Sequence, residues 1–522
     1  MFYSAPQLLT VLIDPITAVK LTALIFPTIG ALATYHVMRR CFGVSWQASC
    51  PTLVLFQLNS FLLFRIVIGH LPYHVFGLMP VLCWLVLLPA VAEPQSFRRN
   101  ISSNVGKVIT GAIVLAIMVY AGATNFVIPA VLSVAAVLLV QHARSGWRLA
   151  QWCILAGACL WAIPLSAVKL VPAFIFIRSY PRPYIEGTLF VDPIRLFEVL
   201  TASLFAPEIL PNGVSPVKGS PGFYGRHELE YSVYIVSLLL IVAALVSCIL
   251  KPARPRHLFA LMALVLVTGI PIALSFSFGN QTWGRILLHI PIINNNTTFV
   301  RWWSIYTFLL IVIAGLAFDR VCNERVRDIA LGASVLIVVV QLASRNLGYY
   351  EKQGEWAYDP ALVVAAIERL SQGVPLPDIS QVGQPPKSKL RPGGADNDAL
   401  VWGISAFPCY EPVFGYENEL FPAHQLEAAP VNSRIDDHFN LVDARCYLSV
   451  DSRTCPAGSL FRDDQQLDVT KFTSHKPLPW QSSLQKYAER ANSAAGALSA
   501  LLLLYLVLES AVRHYRIARA RV

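Results

Sequence analysis

Val300-Arg-Trp-Trp-Ser-Ile-Tyr-Thr-Phe-Leu-Leu-Ile-Val-Ile-Ala-Gly-Leu-Ala-Phe318 carries a single charge, Arg301, and is otherwise apolar or small. A helical run of about 20 such residues spans a hydrocarbon core of about 30 Å. Trp302 and Trp303 suit the interface at one end, and Arg320, Arg325 and Arg327 follow the other. The stretch reads as a transmembrane helix whose Arg301 end lies outside.

The pattern recurs along the chain. Apolar runs at 18–38, 46–64, 73–92, 107–121, 124–141, 150–172, 231–250, 257–276, 329–344 and 492–512 join 300–318 to make about eleven expected spans. Between the fourth and fifth, Ala121-Gly-Ala-Thr-Asn125 leaves room for a tight helical hairpin or a re-entrant element. Composition agrees with a membrane protein. Of 522 residues 55% are hydrophobic and 14% charged, and the mean hydropathy is +0.55, whereas soluble domains carry about 25% charged residues.

Basic residues outnumber acidic ones, 41 to 31, but their placement excludes nucleic-acid binding. They sit in short hinges between apolar runs: Arg39-Arg40; Arg98, Arg99 and Lys107; Arg144 and Arg148; Lys251, Arg254 and Arg256; Arg320, Arg325 and Arg327; and Arg513, Arg516, Arg519 and Arg521. These are alternate loops, and positive loops stay on the cytoplasmic side. The C-terminus is therefore expected inside, and loops 173–230, 277–299 and 345–491 outside. The expected organisation is an all-α polytopic bundle over 1–345, a smaller mixed α/β extracytoplasmic domain over 346–491, a final span at 492–512 and a basic tail at 513–522. The outer domain is long enough to bury a core of its own. Its sequence predicts an amphipathic helix at 360–370 and then a Pro- and Gly-rich stretch from Gln381 to Gly394.

Seven of the ten cysteines lie in or beside apolar runs, where a small buried hydrophobe is the ordinary role. Cys409, Cys446 and Cys455 fall in the outer domain, where disulfides are permitted. Cys446 and Cys455 bracket a hairpin-sized loop that one bridge closes. No CxxC pair and no His at ligand spacing points to a metal site.

The soluble-enzyme motifs GxxxxGK[ST], GxSxG, HExxH and GxGxxG are absent. Polar residues instead gather in three groups on the expected outer surface. Arg65, His70 and His74 join the second and third spans, as phosphate ligands or as interfacial caps. The long loop carries Arg178-Ser-Tyr-Pro-Arg182, Asp192, Arg195, Glu198, Glu208 and Phe223-Tyr-Gly-Arg-His-Glu-Leu-Glu-Tyr231. Lys169, just inside the preceding span, is a functional candidate or a snorkelling side chain. Carboxylates beside arginines suit anion binding and proton abstraction, and equally a solvated loop of ion pairs. The third group runs from Gly279 to Arg285 and on through His289, Asn294 and Arg301; the Arg301 guanidinium, at a helix end, can hold a phosphate or anchor the interface.

Five local patterns resemble, in order, those of bacterial YfhO-like membrane proteins of the GT-C glycosyltransferase superfamily. They are Phe2-Tyr-Ser-Ala-Pro6, Gly69-His70, Glu230-Tyr231, Phe278-Gly279, and Ile290-Pro291 followed by Phe299-Val-Arg301. The resemblance covers most of residues 1–345. It implies a protein of the bacterial cytoplasmic membrane that transfers a sugar, with inversion, from a polyprenyl-phosphate donor to a glycan, lipid or protein acceptor on the outer face. Arg301, His70, Lys169 and Arg182 would then contact the donor phosphate. In the family an acidic residue of the first outer loop acts as base. That loop has no counterpart before Phe2, so Asp14, Glu228 and Glu230 are the base candidates, and a natural beginning upstream of Met1 is expected. Some superfamily members need a divalent cation; the sequence specifies no site for one. The alternative is a non-catalytic transporter, flippase or assembly subunit for a lipid-linked glycan, which calls for charges buried mid-span and paired half-helices.

Overall fold

The computed structural model describes residues 4–88, 97–179, 189–211, 213–217, 224–249, 255–278, 282–290, 293, 298–345 and 483–520, with isolated positions between 361 and 439. Helix dominates. After a short α1 (Ala5–Leu9), α2 (Pro15–His36) begins where Asp14 accepts the Thr17 amide at 2.9 Å and Pro15 supplies a helical φ without a wasted donor. The next apolar run, Trp46–Val67, is divided by Asn59 into α3 (Trp46–Gln57) and α4 (Ser60–Val67). The Asn59 Oδ1 accepts the Leu62 amide at 3.0 Å while its Nδ2 donates to the Phe56 carbonyl. One side chain thus closes a helix and opens the next, which sets the direction in which Arg65 of α4 points.

A 3-10 turn over Leu71–Gly77 leads into α5 (Leu78–Leu87). It crosses α2 at two glycines: a Cβ on Gly77 would lie 2.0 Å from the Phe26 carbonyl oxygen, and one on Gly30 would lie 2.6 Å from that of Gly77. Such backbone contact through small residues is how helices pack tightly inside membranes. Helices α6 (Phe97–Tyr120) and α7 (Thr124–Ser145) are joined through residues 121–123, with Gly122 at φ 92°.

Helices α8 (Leu149–Leu165) and α9 (Ala167–Ser179) belong to one apolar run bent by 75°. The bend frees carbonyls that lipid cannot satisfy. Leu165 O accepts the Tyr120 hydroxyl at 2.9 Å and also the Asn492 side-chain amide. Lys169, across the bend, donates to Tyr120 O at 2.7 Å, capping the C-terminal end of α6.

Where the sequence predicts only loop, α10 (Pro193–Phe205) forms. Asp192 accepts the Ile194 amide at 2.9 Å and Pro193 occupies the first helical position. The strands β1 (Gly213–Val214) and β2 (Tyr224–Gly225) pair antiparallel. Then come α11 (Tyr234–Ile249), α12 (Pro255–Ser275), α13 (Thr282–Leu288), α14 (Ser304–Val321), α15 (Arg327–Arg345) and α16 (Ser483–Ala520). Among the described residues seven helices are long and apolar enough to cross a membrane, and the bent pair makes an eighth if it is one span. Shorter apolar helices at Leu71–Leu87, Tyr234–Val246 and Ala260–Ser275 occupy three further positions at which the sequence predicts spans. The chain is a multi-pass helical membrane protein.

Aromatic side chains bind the bundle together: Tyr231 stacks on Phe61 at 5.3 Å and meets Trp303 edge-on at 6.2 Å. Trp302 and Trp303, expected as interface anchors, are buried instead, and the Trp303 indole donates to Ser275 Oγ at 3.0 Å.

The bundle is one compact unit: 1–173, 184–350 and 484–522. The second unit comprises Phe174–Pro183 and Glu351–Ser483. Its described residues include helical backbone at Ala361, Val364, Ala365 and Glu368, within the predicted 360–370 helix. They also include a parallel pair, β3 (Ile379–Gln381) with β4 (Ser405–Ala406), and an antiparallel pair, β5 (Arg434–Ile435) with β6 (His438–Phe439).

Candidate functional site

Three chain segments far apart in sequence converge on Glu228. Arg65, on the last turn of α4 and 0% exposed, brings its guanidinium to 3.1 Å from Glu228 Oε2. Arg301 sits in the 3-10 turn Phe299–Trp303 that leads into α14. It donates to the same carboxylate through Nε at 3.0 Å and through the terminal nitrogen at 2.5 Å. Glu228 itself belongs to the 3-10 turn Arg226–Glu228, and the neighbouring His227 Nε2 lies 3.4 Å from its Oε1. Arg65 also donates to His70 Nδ1 at 3.0 Å, and the His70 and His227 rings meet edge to face at 5.4 Å. The Arg65 guanidinium further lies over the Tyr73 ring, 4.7 Å from its centroid.

Among the described residues two guanidiniums, those of Arg65 and Arg301, share the one Glu228 carboxylate. Burial alone would raise the Glu228 pKa, but Arg65 and Arg301 outweigh it and hold the carboxyl well below its ordinary value. A carboxylate so stabilised is a weak base, and its two oxygens hold both guanidiniums in place. His70 is driven down to about 4, first by burial and then by the Arg65 charge. It is therefore neutral near pH 7, and because Nδ1 accepts from Arg65 its proton resides on Nε2, available to donate. The exposed edge of the cluster consists of Arg301 and His227, whose side chains are 22% and 31% exposed.

A second set of ion pairs stands behind the first. Glu230 accepts from Arg226 Nε at 2.9 Å and is 2% exposed; burial raises its pKa against the pull of Arg345 and Arg226. Arg345, at the end of α15, pairs with Glu208 at 2.8 Å and donates to Ser232 Oγ at 2.9 Å. Ser232 in turn is bound to Ser60: its amide donates to Ser60 Oγ at 2.7 Å, and the Ser60 amide donates to Ser232 O at 3.2 Å. Gln341 joins two helix ends, donating to Phe205 O of α10 at 2.9 Å and accepting from the Ile235 amide of α11 at 3.0 Å. The segment 228–233 is thereby fixed on both sides. Tyr234, which follows it, adopts φ 65°, a left-handed conformation rare for an aromatic residue.

Of the residues singled out in the sequence, the structure brings Arg65, His70, Glu228 and Arg301 into one cluster and sets Glu230 beside it. Lys169 lies elsewhere, capping α6. Asp14 is fully exposed, and its Thr17 hydrogen bonds lower its pKa. His74 packs edge-on against Phe26 at 4.7 Å, away from the arginines. Arg182, Cys446 and Cys455 lie outside the described residues. Sequence reasoning left Arg345, Gln341, Ser60 and Ser232 unmarked, and the first of these had a signal: an arginine closing an otherwise apolar run. Among the described residues no group of three or more His, Cys, Asp or Glu side chains is placed to hold a metal ion.

Compared with known proteins, the chain matches no family model, no curated protein and no solved structure.

Proposed function

We propose that the chain is a membrane glycosyltransferase-like protein that takes a sugar from a polyprenyl-phosphate donor and passes it to a glycan, lipid or protein acceptor. The observation that carries this reading is the Arg65–Glu228–Arg301 arrangement: a buried carboxylate orients two guanidiniums, one of them, Arg301, at a partly exposed edge. A phosphate there meets Arg301, the Nε2 proton of neutral His70 and His227, which are charge-assisted or neutral donors pre-placed in a poorly hydrated setting. Of the three carboxylates named from the sequence, Glu230 is the one whose pKa is raised, by burial, although it is 2% exposed and paired with Arg226 at 2.9 Å.

In this reading eleven segments cross the membrane, loops 173–230 and 277–299 and the α/β domain at 346–491 face outward, and the C-terminus is cytoplasmic. The membrane is a bacterial cytoplasmic membrane. The test is a transfer assay on purified protein with a panel of polyprenyl-phosphate sugars. Release of polyprenyl phosphate coupled to product, abolished in Arg301→Ala, supports the reading; absence of transfer and of donor binding across the panel overturns it.

A second reading, a flippase or transporter for a lipid-linked glycan, draws on the 75° bend between α8 and α9, since broken helices serve alternating access. Transbilayer movement of donor in proteoliposomes without sugar transfer would decide for it.

A further inference from the structure

Helix α10 has two faces with different neighbours. One face builds the site: Ser203 O accepts the Tyr231 amide at 3.2 Å and Leu204 O the Val233 amide at 2.8 Å. The opposite face borders a groove of about 670 Å³ shared with the start of α11, walled by Pro193, Ile194, Phe197, Ile209, Ile235 and Leu238. That volume is in the range of sites that enclose a small molecule. Its wall is apolar and open: Ile194 is 78% exposed and Phe197 52%. Beyond Leu238 the same stripe of α11 continues through Val242, Leu245 and Val246, all exposed. A hydrocarbon chain lying in the groove therefore runs on, without interruption, over a surface suited to lipid.

The rim supplies the head-group chemistry. Arg195 and Glu198, one turn apart on α10, pair at 3.0 Å, and Glu198 borders the groove with its side chain 62% exposed. Arg195 is not part of the groove wall; its side chain is 21% exposed and its pair with Glu198 holds its guanidinium beside the rim. A positive and a negative group side by side complement a head group that carries phosphate and ammonium a few bonds apart. A purely anionic head group would meet Glu198 as a like charge.

We propose that the groove between α10 and α11 is a binding site for one zwitterionic glycerophospholipid, with its phosphate on Arg195, its ammonium on Glu198 and an acyl chain along Ile194, Phe197 and Leu238. The site is separate from Glu228 and does not depend on the sugar-donor reading. By filling the outer side of α10, the lipid braces the helix that carries Ser203 and Leu204 and so holds segment 228–233 in place.

The full chain is purified in a mild detergent and exposed to equal amounts of phosphatidylethanolamine, phosphatidylglycerol and polyprenyl phosphate, and retained lipid is read by native mass spectrometry. One phosphatidylethanolamine per chain is expected. Glu198→Gln should reduce its preference over phosphatidylglycerol roughly threefold to fivefold, the scale of one exposed ion pair. Thr201→Trp, which fills the groove from an exposed position, should abolish retention of all three lipids while helicity and monodispersity are kept. Equal retention of the two glycerophospholipids, indifferent to Glu198→Gln, would overturn the proposal. So would preferred retention of polyprenyl phosphate, which would make the groove part of a donor site, or a lipid-free dimer that Thr201→Trp dissociates.

Discussion

Arg65, on α4, and Arg301, in the 3-10 turn before α14, hold one carboxylate between them, Arg65 on Glu228 Oε2 at 3.1 Å and Arg301 across both oxygens. The two are not equivalent. Arg65 is 0% exposed and is enclosed by Phe61 and Tyr73, whereas Arg301 keeps part of its surface open. Removing each therefore tests a different link, one the fold and the other the ligand.

Arg301→Ala should leave the protein folded, because Glu228 retains Arg65. Anion binding should weaken by about 2–3 kcal/mol, or about 30- to 150-fold. Arg301→Lys should recover only part, since an ammonium cannot reproduce the fork across two oxygens. Donor binding and transfer kinetics measure both; a fully active alanine variant would reduce Arg301 to a structural pair with Glu228.

Arg65→Ala should act on stability instead. Loss of one partner from a buried ion pair costs about 3–5 kcal/mol, and here it also empties the space between Phe61 and Tyr73. Thermal unfolding in detergent should show a large fall in Tm. An unchanged Tm would mean that water or Arg301 replaces the lost contacts.

Acidification should destabilise the bundle in two windows. His70 has a pKa of about 4 when folded against 6.5 ordinarily, so its contribution is whole above 6.5 and is lost as pH falls toward 4. Glu228 is held well below 4.5, so its contribution is whole above 4.5 and is lost as pH falls below it. Tm followed downward from about pH 7 should decline through both windows, and His70→Asn should flatten the upper part of the slope while leaving the lower part as it is. A flat profile down to pH 5 in the parent protein would refute the buried neutral His70.

Gly77→Ala tests the crossing that sets the depth of the 3-10 turn after α4. The added carbon meets backbone, the Phe26 carbonyl, which cannot rotate away as a side chain can. Overpacking of this kind costs about 1–3 kcal/mol, and because the turn follows directly on His70, anion binding should weaken along with Tm. Gly43→Ala is the control: nothing lies within 4 Å of its Cβ, and only its φ of +67° opposes the change.

The helices were legible because the membrane imposes a single rule, apolar length, which Val300–Phe318 and its counterparts obey plainly. The interruptions were less so. Asn59 reads as one more polar residue in an apolar run, although it is the cap that divides α3 from α4. Asp192-Pro193 was an available N-terminal signal for α10, hidden by the surrounding proline-rich loop. At the site, Arg301 and Glu228 could be marked singly, but their partnership depends on bringing α4, the 228–233 segment and α14 together, and no local pattern encodes that. Lys169 shares the ambiguity: a cation near a span end looks alike in sequence whether it meets a phosphate or, as its 2.7 Å bond here shows, caps the carbonyl of Tyr120.

The last prediction concerns Cys446 and Cys455. They bracket Tyr-Leu-Ser-Val-Asp-Ser-Arg-Thr, a loop short enough for one disulfide to close. Closing a loop of this size stabilises a domain by about 2–3 kcal/mol in the chain-entropy account, and only an oxidising compartment preserves the bond. The proposed topology, drawn from the alternation of basic loops, has the 345–491 segment on that side of the membrane, so pairing and topology are tested together. Peptide mapping of protein alkylated without reductant should recover the two cysteines as a linked pair, with Cys409 alkylated. If both are instead alkylated as free thiols in material purified from intact membranes, the bridge is absent and the outward placement loses its chemical support. If Cys409 is linked to either one, the bridge exists with a different partner, and the compartment argument survives while the loop closure does not.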